Sequence, residues 1–279
     1  MKPSRSVKNL YDLGGKVAII TGGGGLLGRR HGEAIVEAGG IPVMVDIESA
    51  RCDSAVEHLR QIRESQVLGV RVDVTVKEQV QGMLEHVLER LGRVDILINN
   101  AANNPKVENP EAGQWSRFEC FPLEQWNMDL AVGLTGVFLC SQVIGHHMAR
   151  NGGGVILNIA STMGVAAPDQ RIYRRPGVSE DRQMVKPPTY PAIKAGVIGL
   201  TRYLATYWAS ARVRVNALSP GGVLDGQDEL FLANYNNRVP MARMAEPDEY
   251  KGAVLFLCSD ASSYMTGANL IVDGGLTSW

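Results

Sequence analysis

The chain has 279 residues, of which 45% are hydrophobic and 20% charged, and its formal net charge is −1. These values fit a soluble protein with a proper core, and the balanced charge gives no reason to expect nucleic acid or an anionic membrane as a partner. Four widely spaced cysteines argue against a disulfide framework or a metal site, and the charged N-terminus has no apolar export segment behind it, so we expect a cytoplasmic protein.

Short apolar runs alternate with longer helical patterns along the chain. The strand candidates are Val17–Thr21, Ile41–Asp46, Gly69–Val72, Val94–Ile98, Val155–Ile159, Val213–Asn216 and Asn269–Val272. Helical patterns include Leu27–Ala38, Val76–Leu91, Leu123–Met148 and Pro191–Ala209. Continuous apolar strands indicate burial on both faces. The alternation therefore predicts a single α/β domain over residues 1–279, doubly wound (Rossmann), with a parallel seven-stranded sheet and helices on both faces.

Three segments stand outside this alternation. Residues 1–15 are predicted to be an N-terminal extension. Residues 168–188 are rich in proline and charge and are predicted to be an inserted loop, and residues 221–244 form a substrate-region segment after a Pro-Gly-Gly turn. The last two both follow strand candidates, so we expect them at the sheet edge where doubly wound folds bind ligands.

The first strand candidate ends in a run of glycines that leads into a helical pattern. Gly23, Gly25 and Gly28 match G-x-G-x-x-G, which lets the backbone approach a pyrophosphate while the helix offers free N–H groups and the positive end of its dipole. The spacing alone is weakly specific, since any glycine-rich strand-to-helix turn can produce it. Because strand, helix and a later acidic residue agree, we predict a dinucleotide site here.

That acidic residue is Asp46, which ends the second strand candidate. At this place a carboxylate can accept hydrogen bonds from both ribose hydroxyls of an adenosine. It would also repel a 2′-phosphate, by up to about 4 kcal/mol for charges about 4 Å apart at an effective dielectric near 20. Asp46 therefore predicts NAD rather than NADP, the alternative being a solvated residue that opens the next helix.

Tyr190 and Lys194 lie at the start of the helical pattern that follows the inserted loop. Residues four apart lie on the same face of a helix, so the ammonium can sit beside the phenol. A phenol normally titrates near pH 10, and a neighbouring cation lowers that pKa. Tyr190 could then exchange a proton at neutral pH while a hydride moves. The pattern Y-x-x-x-K alone occurs by chance in many helices.

Further motifs follow the strand candidates in order. They are Asp73-Val74, Asn99-Asn100-Ala101-Ala102, Ser161-Thr162-Met163-Gly164, Asn216-Ala217-Leu218-Ser219-Pro220-Gly221 and Asp273-Gly274-Gly275. With the glycine turn and the Tyr/Lys pair, they make the chain from about Lys16 to its C-terminus resemble the classical short-chain dehydrogenase/reductase family. The resemblance implies an NAD(H)-dependent oxidoreductase that interconverts a secondary alcohol and a ketone, with a sugar, polyol or sugar derivative as the expected substrate.

The resemblance also assigns roles to residues. Ser161, by itself only a strand-end serine, would hydrogen-bond the substrate oxygen, and Lys194 would also hold the nicotinamide ribose. Asp73 and Val74 would flank the adenine, Asn100 would contact the cofactor, and the Pro220-Gly221 turn would cover the nicotinamide. The predicted catalytic residues are Ser161, Tyr190 and Lys194, and the predicted NAD-binding set is Gly22, Gly23, Gly25, Leu27, Gly28, Asp46, Asp73, Val74, Asn100, Ala101, Tyr190, Lys194, Pro220, Gly221 and Val223.

Two positions depart from the family pattern. The usual T-G-x-x-x-G-x-G would place a glycine at Leu26, and the helix position that normally carries a water-holding asparagine is Gly133. We expect a slightly altered phosphate turn with retained NAD binding. At Gly133 we expect room for an additional water but no side chain to anchor it.

The spacing of Ser161 and Tyr190 is a third departure, because 29 positions separate them and the family usually has about a dozen. Tyr173 stands at the usual spacing but is followed four residues later by Gly177, so it lacks the lysine partner. The inserted loop between them carries several arginines. We predict a lid with a mild cationic bias, suited to an acidic or phosphorylated sugar-like substrate; a solvated surface loop is the alternative.

Two other functions stay open. One is an NAD-dependent sugar-nucleotide epimerase, which shares the glycine turn and the Tyr/Lys pair but usually has a larger C-terminal region. The other is a non-catalytic NAD-binding redox sensor, suggested by Gly133. Family members are commonly tetramers, so we expect a homotetramer or homodimer, for which the apolar helix Ala192–Trp208 is a candidate interface.

Overall fold

The first strand, β1 (Val17–Thr21), is buried along its whole length and pairs with neighbours on both sides. The computed structural model describes residues 5–103 and 115–279, so residues 1–4 of the predicted extension lie outside the described part. The other strands are β2 (Ile41–Asp46), β3 (Leu68–Arg71), β4 (Ile96–Asn99), β5 (Gly154–Ile159), β6 (Val213–Pro220) and β7 (Asn269–Val272). They form one sheet in the order β3-β2-β1-β4-β5-β6-β7.

The strand pairs are parallel, which confirms the predicted seven-stranded parallel sheet. The bounds of β1, β2 and β7 are those that the sequence predicts. β6 is longer than predicted and continues to Pro220, because its second half pairs with β7. In this pairing Ala217 lies opposite Asn269 and Pro220 lies opposite Val272. This extension places the predicted Pro220-Gly221 turn at the edge where β1 and β4 also end.

A short helix precedes β1, and the helices between the strands cover both faces of the sheet. They are α1 (Val7–Leu10), α2 (Leu26–Glu37), α3 (Ser49–Ile62), α4 (Lys77–Leu91), α5 (Leu123–Arg150), α6 (Thr189–Tyr207), α7 (Glu229–Asn236) and α8 (Lys251–Cys258). Alternate residues of β1 face opposite layers. Val17 and Ile19 pack with α4, α5 and α6, whereas Ala18 and Ile20 pack with α2, α3 and α8. Burial on both faces explains why the strands read as uninterrupted apolar runs.

Helix α5 contains two π-helical segments, Ala131–Thr135 and Ser141–Gly145. By length and composition alone it is apolar enough to cross a membrane. In this fold the apolar side of the helix is buried, because Cys140, Ile144 and Met148 pack into the core against the sheet. A core helix accounts for its composition.

Candidate active site

A cavity of about 990 Å³ opens at the carboxyl ends of the strands. It extends from the glycine turn after β1 past the ends of β2 and β4 to the start of α6. The sheet order reverses between β1 and β4, and such a switch point is where doubly wound sheets bind ligands. The predicted catalytic residues and all predicted NAD-binding residues except Gly23 and Gly28 line this cavity.

The glycine turn after β1 depends on close backbone packing. Gly22 has a φ of +60°, and a Cβ on it would lie 2.9 Å from the Cα of Ala101. A Cβ on Gly28 would overlap the carbonyl oxygen of Gly22. Gly25 is the residue before α2 and faces the cavity, so the free N–H groups of the first helical turn are available to an anion in the cavity. The turn therefore fits a pyrophosphate.

Gly23 and Gly28, which are also predicted to bind the cofactor, do not line the cavity. Gly23 lies behind the turn, where a Cβ would be 3.1 Å from Met44, and Gly28 holds α2 against the turn. Both act through packing, because the absence of a side chain lets α2 and β2 approach the loop. Leu26, where the family has glycine, has a side chain 40% exposed at the rim of the cavity, so the leucine is accommodated without entering the turn.

Asp46 is buried at the end of β2 and lines the cavity. One of its carboxylate oxygens accepts a hydrogen bond from the Gly24 N–H at 3.2 Å, and the other accepts one from the Glu48 N–H at 3.3 Å. The carboxylate is thus held in place by backbone amides. Arg51 also lines this end of the cavity and forms an ion pair with Glu48 at 3.0 Å.

Asn100 joins the ends of β1 and β4. Its side-chain amide donates hydrogen bonds to the carbonyl oxygens of Thr21 and Gly22, both at 3.1 Å. The Thr21 hydroxyl in turn accepts from the backbone N–H groups of Asn100 and Ala101. Beside this network lies His31 of α2, which is fully buried. Burial lowers the pKa of His31 to about 4, and Asn100 opposes the shift only in part.

At the other end of the cavity, Ser161, Tyr190 and Lys194 come together. Lys194 is buried, donates to the carbonyl oxygen of Ile159 at 2.8 Å, and places its Nζ 5.6 Å from the centre of the Tyr190 ring. The helix that carries Tyr190 packs closely on the turn that follows Ser161, because a Cβ on Gly164 would lie 2.6 Å from the carbonyl carbon of Lys194. These contacts bring the predicted catalytic residues to one place.

The expected lowering of the Tyr190 pKa by Lys194 is not found. Burial raises the pKa of Tyr190, and a hydrogen bond with Ser161 opposes the shift. Burial also lowers the pKa of Lys194 to about 8, with a second contribution from repulsion by Lys186. Desolvation therefore sets the direction of both pKa shifts, opposite to the effect expected from attraction between the phenolate and the ammonium.

Sequence reasoning did not identify Lys186 as a site residue. It comes from the inserted loop, lines the cavity, and places its Nζ 4.1 Å from the centre of the Tyr190 ring, closer than that of Lys194. Burial lowers its pKa to about 8. The sequence shows the charge of the loop, but two prolines lie between Lys186 and Tyr190. No helical periodicity therefore predicts this contact.

Tyr173, which stands at the family's usual spacing, forms part of the cavity wall. Its ring lies 5.6 Å from that of Phe231 in the substrate-region segment, and burial raises its pKa. No lysine follows it one helical turn later, as the sequence indicates. Tyr173 is therefore placed to shape the cavity.

The inserted loop is packed onto the substrate-region segment. Ile172 shares an apolar cluster with Tyr235, Val239 and Met244. Polar contacts add to this: Arg175 makes two hydrogen bonds with Asp228, Asn234 donates to Ile172, and Arg238 pairs with Asp169. The loop thus covers one end of the cavity as a structured wall, which favours the predicted lid over the alternative of a solvated surface loop.

Gly133 lies in the first π-helical segment of α5, and the space beside it is filled. A Cβ on Gly133 would lie 2.8 Å from Cγ2 of Ile193. The expected room for an additional water is therefore occupied by the isoleucine. Asp129 lies one helical turn before Gly133 and is buried. Its carboxylate accepts a hydrogen bond at 2.7 Å from the hydroxyl of Thr189, which is the residue before Tyr190. This contact anchors the start of α6.

Comparisons with known proteins agree with this architecture. The family model for short chain dehydrogenase matches residues 16–174, and the model described as enoyl-(acyl carrier protein) reductase matches residues 178–277. The NAD-dependent glycerol dehydrogenase of Listeria innocua is 32% identical over 272 residues, covering 96% of each chain. The D-threitol dehydrogenase of Mycolicibacterium smegmatis is 32% identical over 275 residues, covering 96% of this chain and 95% of that one.

A solved structure shows the same fold. A gluconate 5-dehydrogenase from Burkholderia cenocepacia, in complex with NADP and tartrate, superposes with a TM-score of 0.84 at 28% identity. The match covers 98% of this chain and 100% of that chain. The similarity therefore extends over both ends of the cavity.

Proposed function

This chain belongs to the short-chain dehydrogenase/reductase family, and we propose that it interconverts a secondary alcohol and a ketone of a polyol or sugar derivative, with NAD(H) as its cofactor. Members of this family are oxidoreductases that bind a nicotinamide dinucleotide. The observation that carries the proposal is the convergence of Ser161, Tyr190 and Lys194 at the far end of the cavity from the glycine turn.

These side chains divide the proton chemistry among them. The Ser161 hydroxyl donates a hydrogen bond to the substrate oxygen, and the Tyr190 hydroxyl gives a proton to that oxygen during reduction or takes it during oxidation. The Lys194 ammonium stabilises the phenolate when it forms. A nicotinamide dinucleotide bound in this cavity would donate or accept the hydride at the substrate carbon.

The raised pKa of Tyr190 affects the two directions differently. A phenol that stays protonated at neutral pH is ready to donate its proton to a carbonyl oxygen. Oxidation needs the phenolate, so its rate should rise with pH until Lys194, with a pKa of about 8, loses the charge that stabilises the phenolate.

Asp46 supports NAD as the cofactor. Its carboxylate is fixed by two backbone N–H groups at the end of the cavity expected to hold the adenosine ribose. A 2′-phosphate would meet this negative charge, whereas the nearby Arg51 is paired with Glu48. The relatives differ in this respect, since one is named as NAD-dependent and one structure contains NADP.

The polyol or sugar substrate is supported by the relatives named for glycerol, D-threitol and gluconate. The cavity wall also combines aromatic rings with many polar groups, which suits a small hydroxylated molecule. We further propose a cytoplasmic homotetramer or homodimer, as the family resemblance implies; analytical ultracentrifugation tests the assembly.

Absorbance of NADH during incubation with polyols, sugars and hydroxy acids tests the proposal. We expect turnover with NAD, and a preference for NAD over NADP that falls at least tenfold in Asp46→Asn. Tight NAD binding without turnover of any alcohol or ketone would favour the redox-sensor function. Equal use of both cofactors by the wild type would contradict the role of Asp46.

A further inference from the structure

Three aromatic rings form a continuous part of the wall at the substrate end of the cavity. Tyr173 belongs to the inserted loop, and Phe231 and Tyr235 belong to α7. The centre of the Phe231 ring lies 5.6 Å from that of Tyr173 and 6.0 Å from that of Tyr235, and the planes of Phe231 and Tyr235 are 18° apart. All three residues line the cavity, and together they are called the aromatic wall below.

Contacts behind the rings hold the aromatic wall in place. Tyr235 is buried, and its hydroxyl accepts a hydrogen bond from the Gly222 N–H at 2.5 Å. Ile172 and Val239 are buried in the apolar cluster against which Tyr173 and Phe231 pack. Because side chains packed in such a cluster have restricted rotation, the rings are oriented before a substrate binds.

The cavity side of the aromatic wall is open and lies near the reaction centre. Tyr173 and Phe231 are only partly buried, so part of each ring surface faces the cavity that they line. Burial raises the pKa of Tyr173, and repulsion from the oxygens of Tyr190 and Tyr235 adds to the shift. A substrate whose oxygen meets the Tyr190 hydroxyl therefore has the aromatic wall beside its carbon skeleton.

A flat aromatic surface favours a substrate with a flat apolar face. In a hydroxylated six-membered ring the hydroxyl groups project mainly from the edge, while C–H groups form the two faces. Packing such a face on an aromatic ring removes apolar surface from water and places slightly positive C–H groups on the negative face of the ring. An open-chain polyol has no fixed face, and its rotatable bonds would lose entropy on binding.

We propose that the aromatic wall is a subsite for the carbon ring of a cyclic substrate, so that the enzyme prefers cyclic secondary alcohols and ketones to open-chain polyols. This inference rests on the proposed oxidoreductase function and narrows its substrate to a hydroxylated ring, such as a cyclitol or the ring form of a sugar. One face of the ring packs on Tyr173 and Phe231, while the reacting oxygen at its edge meets Ser161 and Tyr190.

Matched substrates and variants test this subsite. Initial rates with NAD are compared for the vicinal diols of cyclohexane and of hexane, and for myo-inositol and glucitol, pairs that are alike in their number of carbons and hydroxyls. Phe231→Leu and Tyr173→Leu each remove one ring and keep an apolar side chain, whereas Tyr173→Phe keeps the ring. Phe118→Leu is the matched control, because Phe118 is 80% exposed and does not line the cavity.

The wild type should favour the cyclic member of each pair. Phe231→Leu and Tyr173→Leu should each lower this preference, measured as the ratio of the two kcat/KM values, by about 3- to 10-fold. Tyr173→Phe and Phe118→Leu should keep the wild-type ratio. Equal losses for cyclic and open-chain substrates in the leucine variants, or a wild-type preference for the open chains, would contradict the subsite.

A binding measurement separates this inference from the proposed function. In saturation-transfer NMR of the protein with NADH and the cyclohexane diol, irradiation of aromatic protons should transfer saturation to the C–H groups of the diol. Phe231→Leu and Tyr173→Leu should weaken this transfer, and Phe118→Leu should not. If no alcohol or ketone is turned over, the proposed function fails, while this experiment still decides the subsite. Transfer that is the same in the wild type and in both leucine variants would overturn it.

Discussion

The two ends of the cavity are built in different ways. The dinucleotide end consists of strand termini and one glycine turn, where the side chains of Asp46 and Asn100 form hydrogen bonds with backbone groups of the turn and of the end of β1. The substrate end joins residues 168–188 to residues 221–244 through side chains such as Arg175 and Asp228, more than 50 positions apart. The proposed cofactor site is thus built by the regular part of the fold, while the proposed substrate site is built by irregular segments that can vary independently.

This difference decides what the sequence could predict. The sheet and the glycine turn follow from apolar periodicity and local spacing, so their prediction required no distant contact. Lys186 over Tyr190 and Ile193 beside Gly133 depend on how side chains from separate elements pack. The direction of the Tyr190 pKa shift is unpredictable from sequence for a similar reason. Helical spacing shows the nearby ammonium of Lys194, but it does not show the burial that raises the pKa of Tyr190.

The largest effect should come from removing one hydroxyl at the substrate end. Tyr190→Phe should lower kcat by about 10³-fold, because among residues 5–103 and 115–279 no other group is placed to exchange the proton in the same position. NADH affinity, measured by fluorescence titration, should change little. Tyr173→Phe removes a hydroxyl from the cavity wall and should cost less than about tenfold in kcat. Comparable losses in both variants would remove the distinction between the two tyrosines.

The buried His31 beside the dinucleotide end should make the free energy of unfolding depend on pH. Its ordinary pKa of 6.5 falls to about 4 in the folded protein, so the unfolded chain binds more protons between these values. Stability should be full above pH 6.5 and decline as pH falls toward 4, by roughly 3 kcal/mol. In urea unfolding, His31→Leu should lose less over this range, with His146→Leu at an exposed position as control. An unchanged pH dependence in His31→Leu would contradict this assignment.

Gly28 tests whether the glycine turn depends on close packing. In Gly28→Ala the added Cβ overlaps the carbonyl oxygen of Gly22, so the turn must shift. We expect a loss of about 2–3 kcal/mol in unfolding free energy and weaker NADH binding. Gly82→Ala in α4, where a Cβ meets nothing within 4 Å, should instead gain about 0.5–1 kcal/mol. Wild-type NADH affinity in Gly28→Ala would argue against a tightly packed turn.

Gly133 tests the packing beneath the substrate end. Gly133→Asn places a side chain against Ile193 and should lower stability by about 1–2 kcal/mol without raising kcat. In an Ile193→Ala background, Gly133→Asn should lower the unfolding free energy by less than it does in the wild-type background. A double-mutant cycle of unfolding free energies measures this difference. Strict additivity would show that the two positions do not compete for the same space.

The smallest effect should come from the link between the two irregular segments. Arg175→Met breaks the hydrogen bonds to Asp228, which are partly exposed and worth about 1 kcal/mol or less to stability. We expect KM for the substrate to rise a few-fold with NADH affinity unchanged, because only the substrate end loosens. A larger effect on NADH binding than on KM would contradict the claim that the two ends of the cavity are independent.

A crystal structure with NADH and a bound ketone tests the central claim most directly. The account predicts that the hydroxyl groups of Tyr190 and Ser161 both lie within hydrogen-bonding distance of the ketone oxygen, with the nicotinamide on the side of the Pro220-Gly221 turn. A ketone bound elsewhere, or a Tyr190 hydroxyl directed out of the cavity, would contradict it.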